Sequence, residues 1–126
     1  MNIEPLLKYK AQEAIELIMR EVKGAKAVVI STEDGFEVAA RAENTAQTSR
    51  LSAMASSFSA LGTLVGEESQ LGHCNSVIID AAEGLILIQQ IRHAALPLTL
   101  CVVTSREAVT GQALYFSKQA ALMIAA

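Results

Sequence analysis

AVVISTEDGFEVAAR, residues 27–41, sets two short apolar runs on either side of Glu33-Asp34-Gly35. Val28, Val29 and Ile30 are β-branched and suit the pleated surface of a strand. Beyond the break, Phe36 and Val38 alternate with Glu37, the period of a half-buried strand. Asp-Gly between such runs is a strong hairpin signal, because glycine takes the positive φ of a tight turn without steric cost. The stretch predicts a first strand at about 26–32 and a second at about 36–41, paired antiparallel.

The same logic extends outward. CNSVIIDAAEGLILIQQIR, residues 74–92, repeats the pattern around Glu83-Gly84 and predicts a third strand at 74–81 and a fourth at 85–92. LTLCVVT, 98–104, reads as a fifth. Residues 5–23 read as a helix: Pro5 suits a first turn, Leu7, Ala11, Ala14, Ile15, Ile18 and Val22 form one stripe, and Gly24 is placed to stop it. A second helix is expected from Asn44, capped with Gln47, to Glu68. A third is expected from Thr104, capped with Glu107, with a stripe of Val109, Ala113, Phe116, Ala120 and Met123. The order is α-β-β-α-β-β-β-α. Tight turns force antiparallel neighbours, so the expected class is α+β: residues 1–126 as a single domain, one five-stranded antiparallel sheet with helices on both faces.

Composition bounds the function. The chain has 126 residues, 52% of them hydrophobic and 18% charged, with a net charge of −3. So little charge leaves scant material to solvate a monomer's surface, which suggests an oligomer. The ten basic residues are scattered rather than clustered, which argues against nucleic acid, where phosphate neutralisation dominates affinity. MNIEPLLKYK lacks the layout of a secretory signal, and two cysteines are too few for a disulfide framework. The expectation is a cytoplasmic protein with no membrane segment.

The second helix is unusual. LSAMASSFSALGTLVG, 51–66, has no charged residue, whereas a soluble helix normally keeps one charged face. It is shorter than the ~20 apolar residues of a membrane span and is rich in hydroxyls. On a helical wheel Leu51, Ala55, Phe58, Gly62 and Val65, flanked by Met54 and Leu61, form the arc expected on the sheet. Ser49, Ser52, Ser56, Ser59, Ala60 and Thr63 form the far side, either a serine-rich exposed face or, preferred here, a close contact with another helix. The third strand, short of charge until Asp80, invites edge pairing with a second copy. The expected dimer interface is Ser49, Ser52, Ser56, Ser59, Thr63, Asn75, Val77 and Ile79, joining two sheets into one. Arg50, Met54 and Ser57 are expected to touch a further partner.

Catalytic chemistry is poorly supported. There is no phosphate-binding loop and no dinucleotide fingerprint. His73, Cys74 and His93 show no metal-ligand spacing, and Cys74 and Cys101 read as structural thiols. Asp80 and Glu83 flank a turn. No metal, cofactor or catalytic residue is expected.

AVVISTEDGFEVAAR, SVIIDAAEGLILIQQI and LTLCVVTSREAVTG together resemble the Roadblock / dynein light chain domain family, of the bacterial stand-alone kind, over residues 5–125. The resemblance implies a non-enzymatic homodimer that regulates or scaffolds a small Ras-like GTPase, the gliding-motility regulator being the pattern. No arginine of this chain matches a catalytic finger, so any acceleration of hydrolysis is expected to come from repositioning the GTPase's own groups. The alternatives are a small-molecule sensor, which would need a pocket with convergent polar groups, and a pure assembly module.

Overall fold

The computed structural model describes residues 3–42 and 45–126. The elements run α1 (Pro5–Glu21), β1 (Ala25–Thr32), β2 (Glu37–Ala42), α2 (Thr45–Glu68), β3 (Ser76–Ala81), β4 (Gly84–Ile91), β5 (Leu98–Thr104) and α3 (Thr110–Ala125). The class and order are those read from the sequence. The Asn44 cap lies outside the described residues.

Both hairpins form. In the first, Gly35 has φ +93 and donates its N–H to the Thr32 carbonyl, while Thr32 Oγ1 donates to Asp34 Oδ1 at 2.6 Å and accepts the Phe36 N–H at 3.0 Å. In the second, Ala81 pairs with Gly84, and glycine is required by close approach: a Cβ there would lie 2.0 Å from the Thr104 carbonyl oxygen. All pairings are antiparallel, in the order β2-β1-β5-β4-β3. β3 is therefore a free edge.

The sheet is covered on both sides, which explains the continuous apolar run of β5. Val28, Ile30, Leu87, Leu98, Leu100 and Val102 pack with α1 and α3 in the main core. Val29, Ile88 and Cys101 face the other way and pack with Ala55 of α2 in a smaller cluster. The whole predicted stripe of α1 is buried.

α3 departs from expectation. Thr104 stays in β5, where its Oγ1 accepts the Leu85 N–H at 3.2 Å and donates to the Ser105 carbonyl at 2.9 Å. The Thr104–Glu107 cap does not form; Glu107 instead gives its N–H to Ser105 Oγ at 3.3 Å, and the helix begins at Thr110. Its buried face is Ala113, Ser117, Ala120, Ala121 and Ile124, with Val109 and Met123 exposed. Small residues bring the helix axis close to the sheet, and that proximity outweighs the side-chain hydrophobicity that singled out Val109 and Met123.

Candidate functional site

α2 lies across one face of the sheet, rotated from the orientation its apolar arc suggested. Ser52 and Ser59 are 0% and 7% exposed within the single chain, and Thr48 and Ala55 are buried beside them. Leu61 and Val65, expected on the sheet, are 54% and 56% exposed, and Met54 and Phe58 are also exposed. The cause is steric. A Cβ on Gly62 would lie 2.8 Å from Cys74 Sγ and 3.0 Å from Val77 Cγ2, and one on Gly66 would lie 2.4 Å from the Gly72 carbonyl oxygen. A helix seated this deeply carries mostly glycine, alanine and hydroxyl side chains on its inner face, with Leu51 packing against the same cluster at its N-terminal end, and several of the hydroxyls find partners there. Ser56 Oγ donates to the Glu33 carbonyl. Gln90 Nε2 donates to Ser59 Oγ at 2.6 Å and to Thr63 Oγ1 at 3.3 Å. Ser52 Oγ is buried with no partner among the described residues.

This corrects the serine-face reading. Ser52 and Ser59 are spent on the chain's own sheet, and Ser56 and Thr63 are half-buried towards the Thr32–Gly35 turn and β4. Ser49 is exposed. Arg50, Met54 and Ser57 are exposed on the outward side, Ser57 Oγ bonding back to the Ala53 carbonyl at 3.2 Å. On the edge strand, Val77 and Ile79 are half-buried, and Asn75 just before it is exposed. Sequence reasoning missed the outward strip of Met54, Phe58, Leu61 and Val65, extended by Leu64 and Leu71. The i, i+4, i+7, i+11 spacing of the first four was visible; the small residues on the adjoining arc were the signal that the strip points outward.

The strip adjoins the edge strand. A cleft of ≈ 550 Å³ runs between them, walled by Phe58, Leu61 and Val65 on α2, by Leu71, and by Cys74 and Val77. A second cleft of ≈ 520 Å³ opens at the other end of α2, over Leu51, Ile86 and Val103, with Lys26 and Arg50 at its rim.

The groups that invite a catalytic reading are dispersed. His73 Nε2 lies 2.5 Å from Gln90 Oε1, and His93 Nδ1 accepts the Ala95 N–H at 3.2 Å. Cys74 Sγ donates to the Ser76 carbonyl at 3.4 Å. Burial pushes the Cys101 thiol up to about 12, which leaves it protonated and a poor nucleophile. Among the described residues no three His, Cys, Asp or Glu side chains converge as metal ligands. No described helix is long and apolar enough to cross a membrane.

No family model matches the chain, and no curated protein matches its sequence. Solved structures do match its fold. The gliding protein MglB of Thermus thermophilus superposes with a TM-score of 0.84 at 15% identity, over 98% of this chain and 91% of that one. A Roadblock/LC7 domain from Streptomyces avermitilis gives 0.78 at 16% identity, over 93% and 92%. An MglB structure described as having a tetrameric arrangement gives 0.83 at 17% identity, over 98% and 90%. The chain has the Roadblock/LC7 fold.

Proposed function

We propose that this chain is a non-enzymatic module that pairs with a second copy of itself, and that the pair docks a small Ras-like GTPase as regulator or scaffold. The observation that carries the reading is the charge-free outer strip of α2 beside an unpaired sheet edge. Large contiguous apolar surface on a soluble chain marks an interaction site, and a free edge strand is a template for a further strand. A twofold axis beside β3 covers both at once, since each copy offers the same edge and the same strip. Self-association of the solved structure with a tetrameric arrangement supports this.

The GTPase half rests on the family resemblance and on the MglB structures. Arg50, Met54 and Ser57 at the outward N-terminal half of α2 are the proposed contacts, with Arg50 setting orientation and association rate. Asn75, Val77 and Ile79 remain the proposed edge contacts between copies, joined now by Phe58, Leu61 and Val65 in place of the buried serines.

The test has two stages. Sedimentation equilibrium gives the mass of the pure protein, where a monomer at high micromolar concentration would end the pairing proposal. Titration with a purified Ras-like GTPase, loaded with GDP or a non-hydrolysable GTP analogue, then measures docking. Arg50→Glu is expected to weaken it while the dimer persists, and Glu16→Lys on α1 to change neither. The reverse pattern would put the docking face on α1.

A further inference from the structure

The phase of the β3–β4 ladder decides which atoms of the free edge a further strand can reach. Gln90 donates its N–H to the Asn75 carbonyl at 2.9 Å, one step before Ser76 opposes Gln89. In an antiparallel ladder, residues that exchange hydrogen bonds with the neighbouring strand alternate with residues that do not. Val77, Ile79 and Ala81, opposite Ile88, Ile86 and Gly84, therefore bond inward to β4. Ser76, Ile78 and Asp80 turn their N–H and C=O groups outward. Cys74 Sγ reaches the Ser76 carbonyl at 3.4 Å, a weak bond that leaves the second lone pair of that oxygen free.

The side chains follow the same alternation. Val77 packs with the cluster under α2, and Ile79 lies on that face with it. Ser76, Ile78 and Asp80 lie on the opposite face, where Ile78 stands beside the buried Leu87 of the main core and is 41% exposed. From 76 to 80 the strand reads polar, apolar, apolar, apolar, polar in either direction. A twofold antiparallel contact sets each residue against its mirror position, so a palindromic edge fits a second copy of itself. The two edges of the sheet also differ in protection. β2 shifts register against β1 between Ile30 and Ser31 and carries Arg41, whereas β3 pairs with β4 without a shift. Bulges and charges are the usual guards of an edge, and β3 lacks the bulge and any basic residue.

We propose that two copies join through β3 in one register, with the twofold axis at Ile78. The inference rests on the pairing proposed above and adds the mate of each side chain. Ile78 meets the partner's Ile78, and Val77 meets the partner's Ile79. The Ser76 hydroxyl donates to the carboxylate of the partner's Asp80, once on each side of the axis. Ser76, Ile78 and Asp80 exchange the backbone hydrogen bonds. An axis at Val77 would instead set Ser76 against the partner's Ile78 and Asp80 against the partner's Cys74. An axis at Ile79 would set Ile78 against the partner's Asp80 twice, desolvating a carboxylate beside an isoleucine that offers it no donor.

The register is tested by disulfide trapping on the full chain with Cys74→Ala as background, Cys101 being buried. Asn75→Cys and Ala81→Cys proteins are mixed, left to exchange subunits and oxidised. With the axis at Ile78, position 75 lies opposite the partner's position 81 at a Cα separation of ~4.5 Å, within reach of a disulfide. Each position lies ~20 Å from its own copy. The mixture should form a cross-linked dimer, and neither protein alone should. Val77→Cys cross-linking alone would move the axis to Val77, and Ile79→Cys cross-linking alone would move it to Ile79; either result overturns the register and keeps the pairing through β3. A dimeric mass with no cross-link in any of these overturns the edge as well, and a monomeric mass overturns the pairing itself. Ser76→Asp sets like charges opposite each other at two places and should weaken the dimer about tenfold. Ser76→Asp combined with Asp80→Ser reverses the order of the pair and should restore it. A folded double variant no tighter than Ser76→Asp would also overturn the register.

Discussion

Phe58→Glu separates the two faces of α2. Phe58 keeps 41% of its surface exposed in the single chain. Full burial of such a side chain is worth roughly 1.5–3 kcal/mol, so about 1 kcal/mol remains for a partner to supply. A twofold contact contains the residue twice, and glutamate adds an unpaired charge to each desolvated site at a cost of at least about 1 kcal/mol apiece. The pair should weaken by about 4 kcal/mol or more, roughly a thousandfold in its dissociation constant. The fold should lose about 1–2 kcal/mol, the part of that burial Phe58 already has in the single chain. Sedimentation equilibrium reads the first effect and urea denaturation the second. Ser52→Asp is the counterpart: Ser52 is fully buried against the chain's own sheet, so this change should destabilise the monomer itself by about 3 kcal/mol or more. An unchanged dimer mass for Phe58→Glu, together with a stable but monomeric Ser52→Asp, would mean that the helix is rotated the other way and would refute the reasoning.

Cys101 gives stability a pH dependence. Its thiol is held at about 12 in the fold against an ordinary 9.0, so below pH 9 both states are protonated and nothing is lost. Between 9 and 12 the unfolded thiol ionises first, and stability should fall by about 1.4 kcal/mol per pH unit, a slope reduced in Cys101→Ala when denaturation is followed from pH 8 to 11. Gly66→Ala should destabilise by about 1 kcal/mol or more despite alanine's better helix propensity, because its Cβ would meet a backbone oxygen at 2.4 Å; a higher melting temperature would show that the segment after α2 gives way freely. Arg41→Ala should cost less than about 0.5 kcal/mol, because the Arg41–Glu16 pair at 2.6 Å is about half solvated on both sides, and salt should not change that result.

The strands were legible because their signals are local. A β-branched run, a glycine that the turn demands and an alternating or continuous apolar pattern all sit within a few residues of one another, and β1 to β5 fall within two residues of the expected bounds. α1 was legible because its buried residues are also its large apolar ones. The inner faces of α2 and α3 were legible only in part, for one reason common to both. Their inner faces, Thr48-Ser52-Ala55-Ser59 and Ala113-Ser117-Ala120, are chosen for small volume, and a hydrophobicity scale ranks serine as a surface residue. The start of α3 was misplaced because Thr104 satisfies two patterns at once, a helix cap and a strand end, and only the pairing of β5 with β1 and β4 decides between them.

The small inner faces have a consequence for what remains outside. A helix that approaches its sheet through serine and alanine turns its large apolar side chains towards solvent. On α3 the displaced residues, Tyr115, Leu122 and Met123, share their face with Lys118. On α2 no charge interrupts the surface between Arg50 and Glu67, and the strip ends beside an edge strand whose partner side is empty in the single chain. Deep seating of α2 and exposure of its strip are therefore one design, because enlarging the inner face to bury more would drive the helix off the sheet, and polar substitution of the strip would leave the fold intact. What the strip contributes is available only to a second body, and on the proposed reading the adjoining β3 edge takes the same strand of a second copy. The N-terminal half of α2, carrying Arg50 and flanked by the cleft over Leu51 and Val103, lies at the far end of the strip, and the proposed pairing would leave it uncovered.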